Sequence, residues 1–256
     1  MMQNKNKTVV KSMALLNLFL TEPKLTLSEL ISLSGMPKTS VHRMVSSLEE
    51  MGLLTRDRNG AYTLGLVFLE FGQLVSERLD IRQIAKPVME ELCQEVDEAV
   101  HLIMRDGNEA IYVEKIEGTQ TVRLYTAIGR RSPLYAGACA RSILSFLPQE
   151  EIETYIRQTE FVPIGSGTIT DPAELLQTIS SSLENGYTVS YSELENYTAA
   201  IGAPIFSHKG QVAAGISIAG FEARFTKERL PYLTEKVKGA ALQISEKMGY
   251  KLPHTQ

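Results

Sequence analysis

Little in this chain supports covalent or metal chemistry. It has two cysteines, Cys93 and Cys139, in 256 residues, too few for a disulfide framework, so the default compartment is the cytoplasm. Its four histidines are scattered, and neither they nor the cysteines fall at metal-ligand spacing, so no metal site is expected. No Gly-x-Gly-x-x-Gly and no Walker-type loop occurs, and no cofactor is implied. No apolar run approaches the ~20 residues of a membrane span. Internal repeats and low-complexity segments are absent too. The N-terminal stretch MMQNKNKTVVKSMALLNLFL sets lysines before apolar residues, as a signal peptide does, but no small-residue cleavage site follows. Val9, Met13, Leu16 and Leu20 are instead spaced as the face of an amphipathic helix.

What is present begins with LTLSELISLSGMPKTSVHRMVSSLEEMGLLTRDRNGAYTLG, residues 25–65. Thr26 and Glu29 form a capping box, and Leu25 and Leu30 are placed for a hydrophobic staple. Gly35 and Pro37 make a turn into a second helix, about Lys38 to Met51. Val41, Met44, Val45, Leu48 and Met51 repeat at helical spacing. Lys38, Thr39, Ser40, His42, Arg43, Ser46 and Ser47 stay outside. Short hydroxyls and cations near the N-terminus of such a helix reach base edges and phosphates. After Gly52, two short strands flank Arg58-Asn59-Gly60, a strong hairpin signal. Helix, turn, polar helix and basic hairpin in this order read as a winged helix-turn-helix. The candidate DNA contacts are Ser28, Lys38, Thr39, Ser40, His42, Arg43, Ser47, Arg56 and Arg58. His42 is read equally as a contact or as a solvated side chain.

The overall charge of −4 argues against nucleic acid until its distribution is read. Residues 1–60 hold eight Lys/Arg and five Asp/Glu, so that segment is +3 and the rest −7. A local excess suffices for a DNA footprint, though a modest one implies more than one module per site.

Beyond residue 65 the pattern changes. LVFLEFGQLVSE reads as a connecting helix with more apolar surface than one small domain buries, and Arg82–Val96 as another, with Pro87 as a candidate start. Strands follow: AVHLIMRD and EAIYVEKIEG around Asp106-Gly107-Asn108, then TVRLYTAIG, YTVSYSE, AAIGAPIF and QVAAGISIAG. SPLYAGACARSILSFLP reads as a loop entering a short helix. Asp171, Pro172 and Glu174 open a helix with a face of Leu175, Leu176, Ile179 and Leu183. Leu233, Val237, Ala240, Ile244 and Met248 define the last one. The class is α+β in two domains: a winged helix-turn-helix over 1–65, a linker helix over 66–81, and an antiparallel sheet flanked by helices over 82–256.

These phrases resemble the IclR-type bacterial transcriptional regulators over nearly the whole chain. The matching stretches are LTLSELISLSGMPKTSVHRMVSSLEEMGLL, YTLGLVFLEFG, VHLIMRDGNEAIYVEKIEG, IGRRSPLYAGACARSILSFLP, NGYTVSYSE and IGAPIFSHKGQVAAGISIAG. The resemblance implies a GAF-like effector-binding C-terminal domain and homodimers, often paired into tetramers, on palindromic operators near catabolic genes. Many relatives are repressors released by a small metabolite, and some activate. It places the effector pocket at Ala138, Cys139, Ser190, Glu193, Ala200, Ser217 and Ala219. Family members usually carry Gly-Lys at Ala140-Arg141 and Gly at Tyr197, and here Ala219 replaces a second serine.

The residues themselves suggest a small organic acid as effector. Ala136-Gly137-Ala138-Cys139-Ala140 is a loop of small residues whose N–H groups can approach a carboxylate. Its blander reading is tight packing of a helix on a sheet. Cys139 has no His or Asn in catalytic context and reads as a small buried residue. His101 reads as a core or interface histidine, and Glu193 and Glu195 as effector-loop or surface groups. The function read here is a dimeric cytoplasmic regulator, a repressor of a catabolic operon and not an enzyme. The alternative is a standalone small-molecule sensor or enzyme whose helix-turn-helix contacts protein.

Overall fold

The computed structural model describes residues 6–77, 80–120 and 126–251. The chain divides into two compact units, Met1–Leu79 and Asp80–Gln256.

In the first unit, α1 (Lys7–Asn17) starts at Asn6, whose side chain accepts from the N–H groups of Thr8 and Val9. α2 (Leu27–Ser34) opens on the expected capping box. Thr26 N donates to Glu29 Oε2 at 2.7 Å, and Glu29 N donates to Thr26 Oγ1 at 3.4 Å. Both satisfy N–H groups that a helix start leaves without partners. α3 (Lys38–Glu50) buries Val41, Met44, Val45 and Leu48 against Leu15, Leu16, Phe19, Leu25 and Leu30. Met51, expected on that face, is exposed, because the helix ends at Glu50 and Gly52 (φ 72°) turns the chain away. β2 (Leu54–Arg56) and β3 (Ala61–Leu64) form the expected hairpin. A further strand, β1 (Leu25–Thr26), pairs with β3 to give the order β1-β3-β2. Two residues are too short to show a period, so β1 has no signature in the sequence.

The apolar row expected on α1 is only partly buried. Leu15, Leu16 and Phe19 enter the core, whereas Val9, Met13 and Leu20 are exposed. α4 (Val67–Glu77) sets Phe68 against that core and leaves Leu69, Phe71 and Leu74 exposed.

In the second unit, α5 (Asp80–Val96) runs through Pro87 instead of starting there. Proline has no N–H for the Gln83 carbonyl. The helix continues because Ile81, Ala85, Val88, Met89 and Leu92 bury a stripe on both sides of it. β4 (Ala99–Asp106), β5 (Glu109–Ile116), β6 (Arg131–Pro133), β7 (Thr188–Tyr191), β8 (Thr198–Phe206) and β9 (Val212–Phe221) form one antiparallel sheet. Its order is β6-β5-β4-β9-β8-β7. The strand expected over TVRLYTAIG falls largely on residues 121–125, outside the described residues; Thr126–Gly129 is not strand, and β6 lies beside β5.

The remaining helices are α6 (Ala138–Leu144), α7 (Gln149–Gln158), α8 (Pro172–Asn185) and α9 (Leu230–Lys247). α7 buries only Ile152 and Tyr155, too sparse a pattern to read in the sequence. On α8, Asp171 caps through the Ala173 N–H at 2.9 Å, but Glu174 closes no box, and the buried row is Leu175, Ile179 and Ser182. Leu176 and Leu183 point to solvent. α5 and α9 pack together, and α6 lies across β4, β8 and β9. Two glycines permit that last contact. A Cβ at Gly202 would meet the Ala138 carbonyl oxygen at 2.5 Å, and one at Gly215 would meet Ser142 Oγ at 2.6 Å.

Candidate nucleic-acid interface and ligand cavity

The candidate DNA contacts lie on α2, on α3 and on the hairpin of the first unit. Lys38, Thr39, His42, Arg43 and Ser47 are exposed on α3, Ser40 is half-buried there, and Ser28 is exposed in the first turn of α2. Among the described residues, the side chains of Lys38, His42, Arg43 and Arg58 have no hydrogen-bond, ion-pair or ring partner. The hairpin is stiffened by Asp57, whose Oδ1 accepts from Asn59 N at 2.8 Å and Ala61 N at 3.0 Å. Lys24 pairs with the other oxygen at 2.5 Å. Lys24 and these N–H groups hold the Asp57 carboxyl below its usual range. Arg56 differs from Arg58. Its guanidinium lies 5.5 Å from the Tyr62 ring centroid, aligned along the hairpin rather than projecting freely.

The second unit brings all seven residues of the expected effector pocket to one cavity. Sheet register explains this. Partners in antiparallel strands share a face. Ser190 pairs with Ala200, and Ala200 with Ala219, so these three make one row across β7, β8 and β9. Ser217 pairs with His101 in the neighbouring row. Ala138 and Cys139, held down on the sheet at Gly202, form the roof, and Glu193 closes one side. Several further lining residues were not anticipated in this role, among them His101, Tyr112, Thr126 and Arg130. For His101 the signal was its place in an alternating strand, one residue from buried Val100 and Leu102.

The cavity's charges are accounted for within the chain. Arg141 is fully buried and donates from both terminal nitrogens to Glu193, at 2.6 and 2.8 Å. It also donates to Thr188 Oγ1, Tyr135 O and Val189 O. Glu193 Oε2 accepts a third bond, from Gly137 N at 2.8 Å, and Ser190 Oγ accepts from Ala138 N at 2.9 Å. Two donors expected to meet a ligand's carboxylate therefore meet the chain's own oxygens. Across the rim, Arg130 pairs with Glu195 at 2.7 Å. Burial pushes the Cys139 thiol up to about 12, so it is protonated and inert as a nucleophile. Burial, with Lys115 and Arg130 adding repulsion, pushes His101 down to about 4, so its ring is neutral. The cavity measures about 50 Å³, room for a few waters and well below the ~150 Å³ that admits benzene in an apolar cavity.

Among the described residues, no group of three or more His, Cys, Asp or Glu is placed to hold a metal ion. No helix among them is long and apolar enough to cross a membrane.

Comparison with known proteins joins the two units. Residues 8–58 match the IclR helix-turn-helix domain, and residues 73–246 match the bacterial transcriptional regulator IclR C-terminal domain. The chain is 86% identical over 249 residues to the HTH-type transcriptional regulator KipR of Bacillus subtilis, covering 97% of this chain and all of that one. The crystal structure of Thermotoga maritima IclR superimposes with a TM-score of 0.79 at 32% identity, over 96% of this chain and 100% of that one. An IclR homologue of Microbacterium hydrocarbonoxydans, complexed with 4-hydroxybenzoate, shares the fold with a TM-score of 0.81 at 24% identity, over 94% of this chain and 99% of that one. These relatives are regulators and not enzymes. With a winged helix-turn-helix ahead of a six-stranded antiparallel sheet and both family domains in order, the chain belongs to the IclR family of bacterial transcriptional regulators.

Proposed function

We propose that this regulator binds a two-fold-symmetric operator as a homodimer, represses a catabolic operon, and is released by a small organic acid in the C-terminal cavity. The observation that carries the DNA assignment is the set of exposed, unpartnered cations on and beside α3, Lys38, Arg43 and Arg58. A single +3 module binds weakly, so affinity comes from two copies. Val9, Val10 and Met13 on α1 and Leu66, Leu69, Phe71 and Leu74 at α4 are the apolar surface offered to the second copy. Light scattering should give a dimer or tetramer at micromolar concentration; a monomer with a one-half-site footprint would refute this.

The effector reading rests on the convergence of Ala138, Cys139, Ser190, Glu193, Ala200, Ser217 and Ala219 on one cavity. The 4-hydroxybenzoate bound by the Microbacterium protein is an acid of the proposed class. At about 50 Å³ the cavity must widen to accept such a molecule. Opening it separates Arg130 from Glu195, and an acid reaching the loop competes with Glu193 for the Gly137 N–H. Binding then favours an open conformation and shifts DNA affinity by the difference in the acid's affinity for the two states. Calorimetry of the full chain with a panel of hydroxylated and aromatic carboxylic acids tests this. One acid should bind and weaken a gel shift on the region upstream of the chain's own gene. Ala200→Leu, which fills the cavity from a half-buried wall, should abolish acid binding and keep the shift; acid binding that survives it would place the site elsewhere.

A further inference from the structure

Between α1 and α3 lies a cleft of about 250 Å³ with a polar stripe on each side. One stripe is Thr8, Lys11 and Ser12, at helical spacing on α1. The other is Ser40, Arg43 and Ser47 on α3, with Met44 as the floor. No carboxylate lines the cleft, and neither helix has an acidic residue in its first turn. Among the described residues, Lys11 and Arg43 have no partner. Two like charges sharing one cleft repel each other, a cost that an anion seated between them removes. Four hydroxyls around them supply hydrogen-bond donors without adding negative charge.

We infer that this cleft holds a backbone phosphate of the DNA, which makes Thr8, Lys11 and Ser12 of α1 a second contact surface beside α3. The inference rests on the DNA-binding reading above. Its geometric reason is that a helix in the major groove has a phosphate strand along each rim. Ser40 and Ser47 lie on the α1 side of α3, with Arg43 between them and the outermost residues, so α1 occupies one rim. The contact carries no sequence information. It fixes how α3 is aimed into the groove.

Fluorescence anisotropy of the full chain on two duplexes tests this: the region upstream of its own gene, and a scrambled sequence of the same length. Lys11 is exposed and without a partner, so Lys11→Ala leaves the fold intact. It should weaken both duplexes by about eightfold at 0.1 M salt for each cleft engaged, and flatten the slope of log K against log salt by about 0.9 per cleft. The ratio between duplexes should not change, and Lys11→Arg should restore wild-type behaviour. An unchanged slope, an effect on one duplex only, or a Lys11→Arg variant as weak as Lys11→Ala would overturn the inference while wild-type binding still upheld the DNA reading. Wild-type protein that binds neither duplex would sink both. Millimolar inorganic phosphate at matched ionic strength should leave the wild-type difference from Lys11→Ala intact. If phosphate alone erases it, the cleft is a free-phosphate site and the DNA assignment is wrong.

Discussion

The two units use arginine in opposite ways. In the first, Arg43 and Arg58 are exposed and have no partner among the described residues. In the second, Arg141 is fully buried and gives five hydrogen bonds, two of them to one carboxylate. Arg224 and Arg229 converge there on the buried Glu98. An exposed cation keeps its water until a polyanion displaces it, and gains affinity by releasing that polyanion's counterions. A buried cation must find its counter-charge as the chain folds. The acids follow the same division. Glu29 is engaged in the α2 cap and Asp57 in the hairpin turn with Lys24. Exposed, unmatched charge in one unit serves a partner; buried, matched charge in the other serves the fold.

The strongest way to break this contrast is Arg141→Ala. Glu193 would remain buried with one N–H, from Gly137, in place of three donors. A buried charge stripped of its partner costs about 3–5 kcal/mol. Nine of the ten tyrosines lie in the second unit, so tyrosine fluorescence during urea unfolding of the full chain reports on that unit. Arg141→Lys should lose less, because a point charge still reaches one oxygen of Glu193 without the two-pronged geometry. Arg43→Ala should stay within ~0.5 kcal/mol of wild type. A small loss at Arg141 would mean that its charge network does not hold the fold.

His101 sharpens the same contrast, as a basic group that burial keeps neutral. It packs edge-on to Tyr112, with ring centroids 5.4 Å apart. Its folded pKa of about 4 lies below the unfolded value of ~6.5. Above pH ~6.5 neither state binds the proton, and the full stability is present. Between there and about 4 the unfolded chain takes it up and the folded chain does not, so stability falls with pH. At pH ~5 the loss from this one group is about 2 kcal/mol. Carboxylates also titrate in this range, so the measurement is the difference between wild type and His101→Gln in urea midpoints from pH ~7 to ~5. The variant should show the shallower decline; parallel declines would mean that His101 is protonated in the folded state.

Much of the first unit was legible because its signals are local. The cap at Thr26, the Gly35 turn, the α3 periodicity and the Asn59-Gly60 hairpin each lie within a few residues of one another. The cavity was legible only through family resemblance, because register across three strands brings Ser190, Ala200 and Ala219 together. His101 as a lining residue and Arg141 as the partner of Glu193 were missed for the same reason. The Arg141–Glu193 pair spans 52 residues, and no local pattern announces it. Helix faces were misread where burial is one-sided. Met51, Leu176 and Leu183 keep the apolar period yet point to solvent, since period alone does not show where the neighbouring element ends.

The smallest expected effects separate the exposed arginines from one another. Arg43 stands between the α1 cleft and the outermost face of α3, and Arg58 at the hairpin tip. If the Arg43 guanidinium reads a guanine edge, Arg43→Ala costs about 1–3 kcal/mol on the upstream duplex and less on the scrambled one, so the ratio between them falls. Arg58→Ala should weaken both alike and flatten the salt slope by about 0.9 for each copy bound. Arg56→Ala should do the same only to the extent that its guanidinium leaves the Tyr62 ring, so its slope change should be smaller than that of Arg58→Ala. The decisive comparison is between Arg43→Ala and Lys11→Ala. A loss equal on both duplexes is the outcome expected if Arg43 shares the cleft phosphate with Lys11, and it leaves sequence reading to Thr39 and His42. A loss confined to the upstream duplex would take Arg43 out of the phosphate cleft and leave Lys11 and the hydroxyls to hold the phosphate alone.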